Sequence, residues 1–231
     1  MKIVITGGSR GIGAEAVRHF SRLGHEVLFL YEKNHEAART VAAETGAKAL
    51  CCDVADKAAV TAALADFTPV DVLINNAGIA HYGLISQIGK EQWDRMFAVN
   101  VHGMYHCIDA VLPGMLQQQE GCIINITSMW GQVGASCEVC YSACKGAVIA
   151  LTKALAQELG PSHIRVNAIA PGVILTDMCA NVSPETMEVL RQETPLERHG
   201  TPEDIAQAME YLVNARFVTG QVLPVNGGMV L

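Results

Sequence analysis

Nowhere in these 231 residues is there a run of lysine or arginine dense enough to track a phosphate backbone, and the formal charge is −7. Sequence-independent electrostatics therefore work against nucleic-acid binding. Nor is there a stretch of roughly 18 uninterrupted apolar residues of the kind a spanning helix needs. The opening, MKIVITGGSR, holds one lysine and a short apolar run that glycines interrupt at once, with no apolar region or small-residue cleavage site of a signal peptide behind it. A soluble, cytoplasmic protein with no nucleic-acid and no membrane partner is expected. Internal repeats, low-complexity stretches and dividing linkers are missing too, while half of the residues are apolar, enough to bury one substantial core. A single domain over 1–231 is the expectation.

Metal-ligand spacing is also lacking. The eight cysteines, at 51, 52, 107, 122, 137, 140, 144 and 179, contain one CxxC, Cys137 to Cys140, whereas a structural zinc site usually draws on two close pairs. Cys51 and Cys52 are adjacent and would point to opposite sides of a strand. In a chain long and apolar enough to do without disulfide staples, these read as buried thiols, and no metal is expected.

What is there is alternation. Short β-branched or apolar runs at 2–6, 26–31, 48–54, 71–78, 122–128, 164–172 and 221–228 read as strands with their exit turns. Helical patterns lie between them at 12–23, 35–45, 56–66, 90–117, 142–159 and 203–213. Nearly continuous apolar strands separated by amphipathic helices predict an α/β fold: a doubly wound, Rossmann-type parallel sheet of about seven strands with helices on both faces. The rhythm breaks once, over 173–200, where Ser183 reads as an N-cap and Pro184 as the first helical residue. Ligands of open α/β sheets lie beyond the carboxyl ends of the strands, and this insertion follows such an end, so it reads as a substrate lid.

The first strand runs into TGGSRGIG, Thr6 to Gly13, and then into a helix. Glycines permit a sharp turn and close approach to a pyrophosphate, and the helix N-terminus supplies unpaired N–H groups with positive partial charge. Alone, the turn is explained equally well as tight packing of a helix on a strand. Farther on, Tyr141 and Lys145 stand four apart, one turn along a helical face. A phenol titrating near 10 is a poor acid at neutral pH, and a nearby ammonium would pull it toward the working range. Taken singly, each of these residues is explained as a cap or a surface neighbour; as a set converging on one crevice they read as catalytic.

The set TGGSRGIG, Asp53, NNAG at 75–78, Asn100 in VNVHG, Ser128, YSACK at 141–145, and Pro171-Gly172 followed by Thr176 resembles the short-chain dehydrogenase/reductase family, in order and over essentially the whole chain. Within that family the FVTGQVLPVNGG ending is closest in pattern to the 3-oxoacyl-(acyl-carrier-protein) reductase type. The resemblance implies an NAD(P)-dependent oxidoreductase that moves a hydride between a nicotinamide cofactor and a ketone or secondary alcohol, including 3-oxoacyl thioesters. Tyr141 would supply the proton, Lys145 would hold the nicotinamide ribose, Ser128 the substrate carbonyl oxygen, and Asn100 a water joining Lys145 to solvent. Gly7, Ser9, Arg10, Gly11, Ile12 and Gly13 would cradle the pyrophosphate. Asp53 and Val54 would meet the adenine, and Asn76, Ala77 and Gly78 the adenosine side. Pro171, Gly172, Val173 and Thr176 would complete the cofactor site. A homotetramer or homodimer joined through the helices near 90–117 and 142–159 is implied as well. A non-catalytic dinucleotide-binding regulator on the same fold, or a methyltransferase-like Rossmann enzyme, would have no need of the Tyr-x-x-x-Lys pair.

Cofactor choice falls at the end of the second strand, in LYEKN. There a carboxylate binds the ribose 2′-OH of NAD and a basic residue accommodates the 2′-phosphate of NADP. Tyr31 stands where NAD-specific relatives carry Asp and Glu32 where many NADP users carry Arg. NADP is preferred over NAD because Arg10 and Lys33 can reach a phosphate, with Glu32 turned to solvent. Reductases that accept acyl chains from the carrier protein carry one Arg just before the fifth strand and another before the sixth. Here those neighbourhoods hold Glu120 and Cys122, then Ser162 and His163, with the nearest Arg displaced to 165.

Overall fold

The computed structural model describes residues 1–180 and 182–230. Asn181, within the expected lid, and Leu231, the end of the expected domain, lie outside the described residues. Seven strands form one sheet: β1 (Lys2–Thr6), β2 (Glu26–Tyr31), β3 (Lys48–Cys51), β4 (Val72–Asn75), β5 (Gly121–Ile126), β6 (Ile164–Pro171) and β7 (Val222–Val225). Their order is β3-β2-β1-β4-β5-β6-β7 and every neighbouring pair is parallel. This is the doubly wound sheet that the alternation predicts. The order reverses between β1 and β4, and the crevice over their carboxyl ends is where such a sheet binds its ligand.

The apolar strands are explained by cover on both faces. One side of the sheet packs Ile3, Ile5, Phe29, Ile74 and Ile124 against α1 (Gly11–Arg22), α2 (His35–Thr45) and α9 (Pro202–Asn214). The other packs Val4, Leu28, Leu73, Ile123 and Val166 against α3 (Lys57–Leu64), α5 (Gly103–Gln118) and α7 (Val139–Leu159). Every residue of β5 is buried. At about 25 cal/mol per Å² of apolar surface withdrawn from water, these two clusters supply the main drive for folding.

Three segments differ from the sequence reading. The helix expected at 90–117 is α4 (Lys90–Phe97), a π-turn at Ala98–His102, and then α5. Its cause is local: Asn100 Nδ2 donates to the Met96 carbonyl at 2.9 Å, taking an acceptor that the backbone ladder would otherwise use. A short helix, α6 (Met129–Val133), follows Ser128. Finally, α7 begins at Val139 rather than 142, so that Tyr141 and Lys145 both lie on it. In the insertion, Ser183 caps α8 (Pro184–Glu193) through Thr186 N–H, with Pro184 at the first position, and α8 buries none of its residues. The two ends of the insertion are held side by side, with Leu175 N–H donating to the Gly200 carbonyl and Gly200 N–H to that of Val173, both at 2.9 Å.

Candidate active site

Thr6 ends β1 with its hydroxyl accepting from the backbone N–H of Asn76 and of Ala77, each at 2.9 Å. Asn76 Nδ2 returns the tie, donating to the carbonyls of Thr6 at 2.9 Å and Gly7 at 3.3 Å. The exits of β1 and β4 are thereby stitched together at the switch point. Gly7, Ser9 and Arg10 form the turn, and Gly11, Ile12 and Gly13 the first helical turn of α1. A Cβ on Gly13 would sit 2.2 Å from the Gly7 carbonyl oxygen and 2.5 Å from Asn76 Nδ2, so no larger residue fits there. The N-terminus of α1 carries no side-chain cap and no acidic residue in its first turn. Its N–H groups and partial charge are directed into the crevice, where they fit a pyrophosphate. Pro171 ends β6, and Gly172 and Val173 lead on to Thr176, whose methyl faces Gly11.

The second half of the crevice is made by β5, α6, α7 and the π-turn. Ser128 leaves β5 in extended conformation and its hydroxyl accepts from Trp130 N–H at 3.1 Å, starting α6. Tyr141 and Lys145 are both buried, 9 % and 3 % exposed. The Lys145 ammonium donates to the Ile126 carbonyl at 2.8 Å and lies 5.6 Å from the centre of the Tyr141 ring. Asn100, wholly buried, closes the back by exchanging hydrogen bonds with the backbone of Ile79 and donating to Met96. Gly78 stands between: a Cβ there would lie 2.7 Å from Asn100 Oδ1 and 3.4 Å from Lys145 Nζ. Ser128, Tyr141, Lys145, Asn100 and Gly78 are thus brought together around one small space.

The electrostatics of that space differ from the expectation. Burial and the neighbouring Glu138 carboxylate hold the Tyr141 phenol above its ordinary range, and a hydrogen bond with the Ser128 side chain works the other way. Lys145 is not what lowers it, because its charge is turned to the Ile126 carbonyl and burial pushes its own titration down to about 8. Cys140 and Cys144 pack with Met96 and Tyr141, and Cys137 sits apart at a backbone φ of 62°. The three cysteines do not converge, and among the described residues no three His, Cys, Asp or Glu side chains are placed to hold a metal ion.

At the end of β2, Tyr31 Oη and His35 Nδ1 share a hydrogen bond at 3.1 Å. Asp53 is engaged on both oxygens, by Ala55 N–H at 3.0 Å and by Arg95 Nη1 at 2.8 Å. Val54 is buried under Gly103, its carbonyl meeting His106 Nδ1 at 2.9 Å. Glu32 is not free in solvent as expected, since Arg95 Nη2 holds it at 3.1 Å and Lys33 Nζ at 3.0 Å. Arg10 lies 3.9 Å from Asp177. Arg95 was invisible to the sequence reading because no spacing links residue 95 to 32 and 53. A cavity of about 450 Å³ lies elsewhere, between the insertion and β7, lined by residues such as Ile174, Leu196 and Asn226.

A family model described as enoyl-(acyl carrier protein) reductase matches residues 7–230. The chain is 38 % identical to a 3-oxoacyl-[acyl-carrier-protein] reductase of Staphylococcus aureus over 99 % of this chain and 97 % of that one. The chain belongs to the short-chain dehydrogenase/reductase family. An uncharacterized oxidoreductase of Bacillus subtilis is 37 % identical over 97 % of both chains. The crystal structure of a 3-oxoacyl-[acyl-carrier protein] reductase from Brucella melitensis superposes with a TM-score of 0.91 and 36 % identity, covering 98 % of this chain and 90 % of that one. Membership makes this reductase-family chain a nicotinamide-dependent oxidoreductase acting between a ketone and a secondary alcohol. Nothing in it favours a non-catalytic regulator.

Proposed function

We propose that the crevice holds NADP(H), in preference to NAD(H), and reduces an uncharged ketone or 3-oxoacyl thioester, with Ser128, Tyr141, Lys145 and Asn100 as the catalytic residues. When bound, the nicotinamide supplies the hydride. Tyr141 gives its proton to the developing alkoxide, an ordinary phenol O–H being the form in which burial holds it. Ser128 donates its hydroxyl hydrogen to the same oxygen; Lys145, beneath, holds the ribose hydroxyls, and Asn100 the route by which the proton is replaced. The observation that carries this reading is the packing of Asn100 and Lys145 around Gly78, where a Cβ would press on Asn100, with the Lys145 ammonium 5.6 Å from the centre of the Tyr141 ring. The glycine turn, Asn76, Ala77, Asp53, Val54 and the run Pro171, Gly172, Val173 and Thr176 hold the rest of the cofactor.

Residues 173–200 act as the lid of a single catalytic domain spanning 1–231. Support comes from the surface helix α8 and from the exposed apolar Leu175, Met178 and Val189, side chains that suit contact with a substrate more apolar than water. The enzyme works in the cytoplasm as a homodimer or homotetramer. The support for self-association is α7: with the turn that follows, Val139–Ser162 is long and apolar enough to cross a bilayer by composition, yet 33 % of its most apolar stretch is buried within one copy. Because α7 also carries Tyr141 and Lys145 against β5 and β6, the rest of its apolar face is fitted to another protein surface.

The test is Tyr141→Phe, which keeps the ring and removes the proton. With acetoacetyl thioesters and small ketones, turnover is expected to fall about 10²–10⁴-fold, the usual worth of a positioned acid, with the cofactor Kd nearly unchanged. A variant retaining the parent rate would remove Tyr141 from the mechanism.

A further inference from the structure

Arg95 is a planar fork reaching from α4 to the ends of two strands. Its Nη1 meets Asp53 Oδ2 at 2.8 Å and its Nη2 meets Glu32 Oε1 at 3.1 Å. Lys33 reaches the same Glu32 oxygen at 3.0 Å but is 83 % exposed, whereas Arg95 is 36 % exposed. A solvated lysine on a flexible stem is screened and easily displaced; a guanidinium fixed on two carboxylates is not. The Glu32 carboxylate follows directly on the strand-end position, Tyr31, from which an acidic side chain takes the ribose 2′-OH of NAD and repels the 2′-phosphate of NADP. Left alone, that carboxylate would select against NADP.

We infer that Arg95 is a specificity-determining positioning residue: it neutralises Glu32 and holds it aside, leaving the adenosine end of the crevice open to a 2′-phosphate. The inference rests on the cofactor reading proposed above and extends it to a residue outside the strand end. Release of Asp53, the other arm of the fork, affects the adenine that both cofactors share and cancels when the two are compared.

The experiment is a binding titration of NADPH and NADH, followed by fluorescence, on the parent protein, R95M, E32Q and R95M/E32Q, with melting temperatures as a check on folding. R95M is expected to move the ratio of the two Kd values toward NADH by about tenfold or more, some 1.4 kcal/mol. In the E32Q background the same change is expected to move it less than about threefold, because Arg95 acts through Glu32. R95K should restore most of the parent ratio. An equal shift in both backgrounds, or equal weakening of both cofactors by R95M, would overturn the inference. A parent protein that binds NADH more tightly would instead overturn the choice of NADP, and one that binds neither would remove the crevice reading and this inference with it.

Discussion

Lys145 shows what a buried ammonium costs the fold. Its ammonium is 3 % exposed with one carbonyl partner, and burial lowers its titration from 10.5 to about 8. Below pH 8 it is protonated in both folded and unfolded chains, so the folded state bears the full penalty. Between about 8 and 10.5 the unfolded chain holds a proton that the folded one does not, and stability rises with pH. Lys145→Met is therefore expected to stabilise the cofactor-free protein at pH 7. The shift corresponds to about 3 kcal/mol, and an unpaired Ile126 carbonyl takes back about 1, leaving on the order of 2 kcal/mol. Denaturant titrations at pH 7 and 9.5 should show this gain shrinking at the higher pH while activity is lost at both. A variant no more stable than the parent at pH 7 would mean that Lys145 is better solvated than its burial implies.

At the scale of elements, what holds α7 in register is polar. Asn75 on β4 donates to Asn125 on β5 at 3.0 Å, Asn125 donates to the Thr152 hydroxyl at 3.0 Å, and Thr152 donates to the Val148 carbonyl at 2.8 Å, all of it buried. Asn125→Ala leaves the Asn75 amide without its acceptor and the Thr152 hydroxyl without the donor it accepts from. A loss of about 2–4 kcal/mol is expected in urea titrations, with kcat falling as well because Tyr141 and Lys145 ride on the same helix. Thr152→Val, which breaks the last two links but keeps the shape, should cost less. The sequence showed the strands, the helices and the Tyr141–Lys145 pair because each leaves a periodic or short-range mark. It did not show Asn125 or Arg95, whose partners are 27 to 63 residues away, nor the π-turn, which depends on one amide finding the Met96 carbonyl. Strand and exit turn are not separable in the sequence for a related reason: buried residues such as Cys52 and Val54 continue past β3, and only the loss of a ladder partner ends the strand.

For the whole molecule, charge decides how substrate arrives. The chain carries −7, and Arg165, the nearest arginine to one expected docking position, is committed to the end of α9, donating to the carbonyls of Leu212, Val213 and Ala215. A carrier protein of like charge would meet mild repulsion from that net charge. A free ketone or small thioester is therefore expected to be reduced at least as efficiently as its carrier-bound form, and kcat/KM with the carrier to change little between low and moderate salt. A strong carrier preference that collapses as ionic strength rises would reveal a basic surface elsewhere, around exposed Lys153 for example. The paired ends of the 173–200 insertion bear on how such an enzyme acquires new substrates. Because the chain past β6 is pinned by a two-way backbone clasp between Val173, Leu175 and Gly200, just before α9, ring closure is settled at the base, and the segment between sets neither strand order nor register. Lengthening such a loop twofold costs only about 0.6 kcal/mol in closure entropy. If the segment is the lid proposed above, insertions, deletions and grafts beyond Thr176 are thus a cheap route for descent or for engineering, one in which substrate range drifts while hydride chemistry stays where it is.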